Sequence, residues 1–318
     1  MRVSYLGPPG TFSEEALLTQ PDLASGELMP LASVPEVVAS VERGDADCGI
    51  VPIENMIEGS VTVTLDTLAF DTDLLIQREV DLPISLLLCA RPGVALGDIR
   101  TVYAHPVAAA QCREWLAKKL PQAELRASNS NAEAPREVRR SRRHDVAAIG
   151  TTRAAEIYDL HVLATEIEDH PENETRFVVV GRGVPRPTGH DKTTIVCFQR
   201  VDKPGSLLAI LQEFAARAIN LVKLESRPTK RNLGEYCFFI DAEGHIADEL
   251  LADALRNLAA KQARVKFLGS YPVGDPSEVG VAKRTAAGKA WRAATEWVDE
   301  FRAQIRTTDA LADPDDRA

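Results

Sequence analysis

The sequence predicts an α/β protein in two parts: an α/β body over residues 1–181 and a smaller ferredoxin-like unit of βαββαβ order over residues 192–272. Three observations carry this prediction. Short apolar, β-branched runs alternate with helix-starting turns from Val3 to Tyr158, the pattern of strands feeding helices. The run Gly183-Val184-Pro185-Arg186-Pro187 then breaks the pattern as a linker, assigned to residues 182–191. After it, strand and helix patterns recur as β, α, β, β, α, β.

The totals set limits. A chain of 318 residues holds one to three domains at roughly 100–200 residues per domain. A net charge of −10 argues against nucleic acid as the main partner, because phosphate binding needs a basic face. Five cysteines, Cys48, Cys89, Cys112, Cys197 and Cys237, form no CxxC pair, which fits reduced thiols rather than a disulfide frame or zinc site. The six histidines show no metal spacing, so no metal is expected. There is no secretory apolar core at the N-terminus, and no apolar run approaches the ~18 residues of a membrane span. A cytoplasmic protein without a membrane partner is expected.

Val3–Leu6 reads as a strand running into Gly7-Pro8-Pro9-Gly10-Thr11-Phe12-Ser13, with Ser13 as the N-cap of a helix. A strand, a glycine loop and a helix start make an anion cradle, although a plain tight turn has the same sequence. Ser33-Val34-Pro35-Glu36 is a capping box, and its helix ends before Gly44. Cys48–Ile53 is a strand ending in Glu54-Asn55, and strand C-termini are where open α/β sheets place ligands. A helix over Thr64–Ala69, strands over Leu74–Val80, Ile84–Ala90 and Ile99–Tyr103, and a helix over Val107–Leu120 follow. Arg126–Ser130 approaches another helix, with Asn129, Ser130 or Asn131 as N-cap and Pro135 able to reset its start. Asp145–Ile149 is a strand, and Gly150-Thr151-Thr152-Arg153 opens a helix. This alternation implies largely parallel sheets.

Asn173-Glu174-Thr175-Arg176-Phe177 puts a hydroxyl, a guanidinium, an amide and a carboxylate directly before the buried run Val178-Val179-Val180. It is either a turn leading into a strand or a site held by a rigid element. In the second unit, Thr193–Arg200, Leu221–Pro228, Glu235–Asp241 and Val265–Tyr271 read as strands, with Leu207–Ala218 and Ile246–Ala260 as helices. In the extension over residues 273–318, Trp291, Ala294, Val298, Phe301 and Ile305 form one apolar helix face, and Asp309–Ala318 is expected to be disordered.

These motifs, in this order, resemble a monofunctional prephenate dehydratase with a C-terminal ACT regulatory domain. The matching runs are Gly7–Ser13, Val51–Asn55 with Gly59-Ser60-Val61, His105-Pro106-Val107 with Ala110-Gln111-Cys112, Ser130-Asn131-Ala132, Ala148-Ile149-Gly150 and Asn173–Phe177. In the second unit they are Lys203–Leu207, Ile219-Asn220-Leu221 and Glu225-Ser226-Arg227-Pro228. Departures are Met56, the Val107-Ala108 pair, Asn131, Pro135 and Ser206. The resemblance implies two lobes around a cleft, as in type II periplasmic binding proteins. The first lobe would hold Met1 to about Val80 with the returning segment Leu160–Gly181.

The activity implied is the decarboxylative dehydration of prephenate to phenylpyruvate, in L-phenylalanine biosynthesis, without a cofactor. Thr175 would donate a hydrogen bond to the leaving oxygen, and Arg176 would hold a carboxylate or form an ion pair with Glu54 or Glu174. Backbone N–H groups at Thr11, Phe12 and Ser13, and at Ser130 and Asn131, would meet the carboxylates. Phe12 and Phe177 would line the ring site, with Glu54, Asn55 and Asn173 beside it. L-Phenylalanine would act as effector near Gly205, Ser206, Leu207, Asn220, Glu225, Ser226, Arg227 and Pro228, where ACT domains pair into a homodimer or homotetramer. The alternatives are an arogenate dehydratase and a non-catalytic binding regulator.

Overall fold

The computed structural model describes residues 1–199, 203–230, 232, 235–261, 264–274, 291 and 293–305. The described residues form two compact units: Met1–Thr188 with Thr194–Val196 and residues 266–274, and Gly189–Thr193 with the described residues of 197–265, 291 and 293–305.

The first unit opens with β1 (Arg2–Leu6), and the glycine loop leads into α1 (Phe12–Leu18). The N-cap is Thr11 rather than Ser13, which is buried inside the helix. The Thr11 hydroxyl does not cap; it turns back and donates to the Leu6 carbonyl at 2.9 Å. A single turn, α2 (Pro21–Ala24), leads to β2 (Glu27–Leu31). Ser33 caps α3 (Val34–Arg43) by accepting from the Glu36 N–H at 3.3 Å, and the helix ends at Gly44 with φ 77°. Only half of the capping box forms, because Glu36 reaches the N–H of Ala32 instead. β3 (Cys48–Asn55), the short β4 (Gly59–Ser60) and α4 (Thr62–Asp66) come next. A π turn over Thr67–Asp71 then leads to β5 (Leu75–Pro83).

The chain now enters a second lobe of the same unit through β6 (Leu87–Ala90) and β7 (Thr101–Ala104). The predicted helix over Val107–Leu120 is two helices, α5 (Pro106–Gln111) and α6 (Arg113–Lys119), broken at Cys112. The cause is tertiary. The Asp169 carboxylate accepts from the N–H groups of Glu114 (3.1 Å) and Trp115 (3.3 Å), which gives α6 a start of its own. β8 (Glu124–Ala127), α7 (Glu133–Arg140), β9 (Val146–Gly150), α8 (Thr152–Ile157) and β10 (His161–Ala164) complete the lobe. β8 and β10 are additions to the sequence reading. Every residue of β8 is exposed, so it has no apolar pattern to reveal it, and Arg126 belongs to this strand. Pro135 sits in the first turn of α7, where its missing N–H has no intrahelical acceptor to lose.

β11 (Glu174–Gly181) returns to the first lobe. The first sheet has the order β2-β1-β3-β11-β5 with β4 beside β3, and the second β10-β6-β9-β7-β8. The sheets are mixed rather than largely parallel. β1 runs parallel to β2 and β3, but β11 is antiparallel to both β3 and β5, and β6 is antiparallel to β9 and β10. Each crossing brings the chain into its new sheet against the direction of its neighbours. The return therefore divides Leu160–Gly181: β10 stays with the second sheet and only β11 joins the first.

One face of the first sheet buries Val3, Tyr5, Ile50, Val80, Leu82, Phe177 and Val179 against Ala16 and Leu17 of α1. The second lobe has its own core around Leu86, Leu88, Val102, Ala147 and Ile149. Phe12 packs against both cores, so it lies where the lobes meet.

From Asp191 the chain forms β12 (Asp191–Phe198), α9 (Ser206–Ala215), β13 (Leu221–Pro228), β14 (Tyr236–Glu243), α10 (Glu249–Lys261) and β15 (Arg264–Pro272). This is the expected βαββαβ order, in a sheet β13-β14-β12-β15. Trp291, Trp297, Val298, Phe301 and Ile305 of the extension are exposed, and residues 293–302 are helical. Asp309–Ala318 lies outside the described residues. All five cysteines are buried and outside any disulfide, and burial raises the Cys89 thiol to about 12.

Candidate active site and effector site

Thr175 lies within β11, so the polar run before Val178 is part of the strand and not a turn ahead of it. Against β5 the register is regular from Glu174 to Val179: Thr175 pairs with Leu82, Arg176 with Asp81, Phe177 with Val80. Successive strand residues face opposite sides. Phe177, Leu82 and Val80 all belong to the core under α1, so Thr175 shares the α1 side of the sheet and Arg176 the other.

Asn55, at the end of β3, is opposite Thr175. Its Nδ2 donates to Thr175 Oγ1 at 2.8 Å and to Asn173 Oδ1 at 3.0 Å. Its Oδ1 accepts from the N–H groups of Ile57 (3.0 Å) and Glu58 (2.9 Å), which defines which end of the amide is which. Met56 is in the exposed turn after it, its N–H held by the Glu174 carbonyl. An amide N–H on Thr175 Oγ1 uses an oxygen lone pair and leaves the hydroxyl proton to be donated elsewhere. Asn173 is 1% exposed, and its Nδ2 has no hydrogen-bond partner among the described residues. A buried donor in that state marks a place where a ligand or water acceptor belongs.

Three helix starts converge on Gly10. The Thr151 hydroxyl, which caps α8, donates to the Gly10 carbonyl at 2.7 Å. A Cβ on Gly10 would lie 3.0 Å from Ala154 Cα and 3.3 Å from Ala132 Cβ at the start of α7, and φ is +92°. Glu14 takes the Gly10 N–H at 2.5 Å, and Glu15 takes the Arg153 N–H at 2.9 Å. Burial raises Glu15 above the usual carboxylate range, against the pull of that N–H. No side chain caps α1, so the first-turn N–H groups at Phe12 and Ser13 face outward from the helix end. At α7, Ser130 Oγ accepts from the Glu133 N–H at 3.0 Å, while Asn131 Oδ1 is buried without a partner among the described residues. Gly150 explains its motif: a Cβ there would fall 2.5 Å from Pro135 Cγ and 3.0 Å from the Asn131 carbonyl. His105 caps no helix with its side chain, and burial lowers its pKa.

The ion-pair alternative for Arg176 is the arrangement the structure holds. Arg176 Nη2 is 2.8 Å from Glu54 of β3 and Nη1 is 3.2 Å from Glu79 of β5. Glu54 is directly opposite Arg176, whereas Glu174 is exposed. Glu79, Thr151 and Glu14 were not singled out by sequence reasoning. The Gly150-Thr151-Thr152-Arg153 helix start carried a signal for Thr151, but nothing local marks a carboxylate inside β5.

The second unit has an open groove of about 670 Å³ lined by residues including Lys203, Gly205, Ser206, Leu207, Leu211, Ser226 and Phe238. Gly205, Ser206, Leu207 and Ser226 of the expected effector set therefore gather here. Asn220 is instead tied to Glu243 (3.1 Å), Glu225 lies between Lys223 and Arg227, and Pro228 ends β13. The hydroxyl of Ser206 is used inside its own loop, donating to the Lys203 carbonyl at 2.6 Å.

The chain resembles known proteins over almost its whole length. Residues 3–184 match the prephenate dehydratase family and residues 193–260 the ACT domain. A prephenate dehydratase of Mycobacteroides abscessus is 45% identical, over 88% of this chain and 92% of that protein. The crystal structure of an Arthrobacter aurescens prephenate dehydratase in complex with L-Phe is 41% identical, with a TM-score of 0.88 over 95% of this chain and all, 100%, of that one. A structure described as a novel type of quorum quenching acylase is 27% identical, with a TM-score of 0.77 over 86% and 98% of the two chains. With the two domains in the order read from the motifs, the chain belongs to the prephenate dehydratase family and carries an ACT domain.

Proposed function

We infer that this prephenate dehydratase carries out its elimination beside the Asn55–Thr175 pair. The carbon–carbon bond to the ring carboxylate breaks, its electrons enter the ring, and the ring hydroxyl leaves. Carbon dioxide departs, and the leaving oxygen takes up one proton, ultimately from solvent, to become water. Aromatisation drives the step. The protein has to hold two carboxylates and stabilise the charge growing on the leaving oxygen.

The observation that carries this reading is the Asn55 N–H on Thr175 Oγ1 at 2.8 Å. It aims the threonine proton outward as a fixed donor for the leaving oxygen. A threonine hydroxyl is a weak acid, so it acts as a positioned hydrogen-bond donor. The same bond argues against an acylase-type nucleophile, which needs a base on its hydroxyl where Thr175 has an amide donor. The α1 start at Phe12-Ser13 and the Ser130-Asn131 turn before α7 supply N–H groups for the carboxylates, Asn173 a further donor and Phe12 an apolar wall for the ring, whereas Phe177, expected beside it, is 1% exposed in the core under α1. Looser contacts on the departing carboxylate suit its loss. Glu54, which could meet the ammonium of arogenate, is engaged by Arg176 (2.8 Å) on the sheet face away from Thr175. Purified protein should convert prephenate to phenylpyruvate, followed by its absorbance; absence of product with prephenate and with arogenate would sink the reading.

The open ACT groove suits L-phenylalanine, the ligand named in the Arthrobacter aurescens complex. Leu207, Leu211 and Phe238 suit the phenyl ring, and the first turn of α9, which no side chain caps, suits its carboxylate. β13 lies at the sheet edge with Val222 and Leu224 exposed, alongside exposed Leu208 and Tyr236. An exposed apolar edge of this kind suits a second copy of the chain, so pairing through ACT domains follows. Gly205 has φ +87°. Gly205→Ala is expected to weaken L-phenylalanine binding about tenfold, because a side chain in that conformation costs about 1–3 kcal/mol. Isothermal titration checks it; unchanged affinity would remove this loop from the effector site.

A further inference from the structure

We propose that Arg176 is a positioning residue: its guanidinium, gripped by Glu54 and Glu79, sets the register at which the Asn55 amide meets the Thr175 hydroxyl. The inference rests on Thr175 being the hydrogen-bond donor of the reaction.

The first support is direction. Arg176 follows Thr175 in a strand that is regular against β5, so the two side chains leave opposite faces. A residue aimed away from the donor influences it through the strand and not through the substrate. The second support is burial and pairing. The Arg176 side chain is 14% exposed and Glu79 is 5% exposed, so that pair is held in a protein interior where a charge needs its partner. Glu54 is 36% exposed and completes the bridge from the other side at 2.8 Å. One guanidinium thereby ties three neighbouring strands, β3, β11 and β5.

The third support is where the tie sits. Against β3 the register of β11 shifts between Arg176 and Phe177: Arg176 pairs with Glu54, but Phe177 pairs with Pro52. An extra residue in one strand interrupts the ladder of backbone hydrogen bonds, so the ladder alone fixes register poorly beyond it. Arg176 and Glu54 are the rung just past this irregularity, and Asn55 and Thr175 are the next. An ion pair on the adjacent rung supplies the register that the ladder lacks there. A slip by one residue would turn the Asn55 amide to the wrong face, and smaller errors would misdirect the hydroxyl proton.

The test is a double-mutant cycle in the full-length protein, with kcat and KM for prephenate as readouts. Arg176→Gln should lower kcat by about tenfold and leave KM within about twofold, since the loss is one of alignment. In a Thr175→Ala background the same substitution should cost less than about twofold, because the hydroxyl it aligns is gone. Arg176→Lys should recover part of the loss, as one ammonium can still reach a carboxylate. If Arg176→Gln does not fold, Glu54→Gln breaks one half of the tie while Arg176 keeps Glu79, and the same non-additivity with Thr175→Ala is expected. A rise in KM of about tenfold or more at unchanged kcat would make Arg176 a substrate anchor and overturn the proposal. Full additivity with Thr175→Ala would also overturn it, as an effect on the fold alone. Full turnover by Thr175→Ala itself would instead remove the donor role on which the proposal stands.

Discussion

Thr175→Ala is expected to lower turnover of prephenate by about 10²–10³, the usual cost of one lost transition-state donor. KM should stay within about threefold, because the hydroxyl is strengthened as a partner only when charge grows on the leaving oxygen. Thr175 is suited to this role by its surroundings. It is 8% exposed, on a strand between two others, and β-branched, so it has few rotamers to choose from. Asn55 takes its lone pair at 2.8 Å. The alanine variant should still fold, since Asn55 Nδ2 keeps Asn173 Oδ1 at 3.0 Å and its Oδ1 keeps both turn N–H groups. The stability loss should be about 1 kcal/mol, that of a single hydrogen bond. Thr175→Ser keeps the proton but loses the stiff χ1 and should fall between the two. Steady-state kinetics and urea unfolding on the three proteins check this. A variant that loses stability and turnover in parallel would point to a structural threonine.

Gly10→Ala should be strongly destabilising for a single added methyl, at about 2–4 kcal/mol of stability. Two costs add. At φ +92° an L side chain is strained. The new Cβ would also lie 3.0 Å from the Ala154 backbone, which belongs to a helix and cannot swing aside. Relief would require the first turn of α1 to part from α7 and α8. The hydrogen bond from Thr151 to the Gly10 carbonyl (2.7 Å) would be disturbed with it. Turnover should fall as well, because Phe12 and Ser13 follow immediately. Urea unfolding gives the first quantity and prephenate turnover the second. A variant with wild-type stability would mean that the lobes can separate here at no cost.

How much was legible differs between site residues for physical reasons. Asn55 and Thr175 stand out because polar side chains at the ends of buried β-branched strands need a reason to be there, and the strands themselves are read from local composition. Leu221–Pro228 was read with its observed limits for the same reason. Ser13 was misread as a cap because Thr11, two residues earlier, takes the N-cap place while its hydroxyl goes to Leu6. The break at Cys112 was hidden because its cause, Asp169, is far along the chain. Arg176 reads first as an anchor for a carboxylate, with the ion pair as its alternative, and the register of β11 against β3 and β5 puts it between Glu54 and Glu79.

By itself the sequence determined the α/β body followed by a βαββαβ unit, from composition and periodicity within a few turns or strands, which are local quantities; the family followed from the resemblance of its motifs in their order. Only the tertiary structure decided that the sheets are mixed, that three helix starts meet at Gly10, and that Thr175 and Arg176 serve opposite faces of one strand. Those facts follow from which strands become neighbours and in what register, and strand pairing joins residues such as Asn55 and Thr175 whose separation of 120 positions leaves no trace in local pattern.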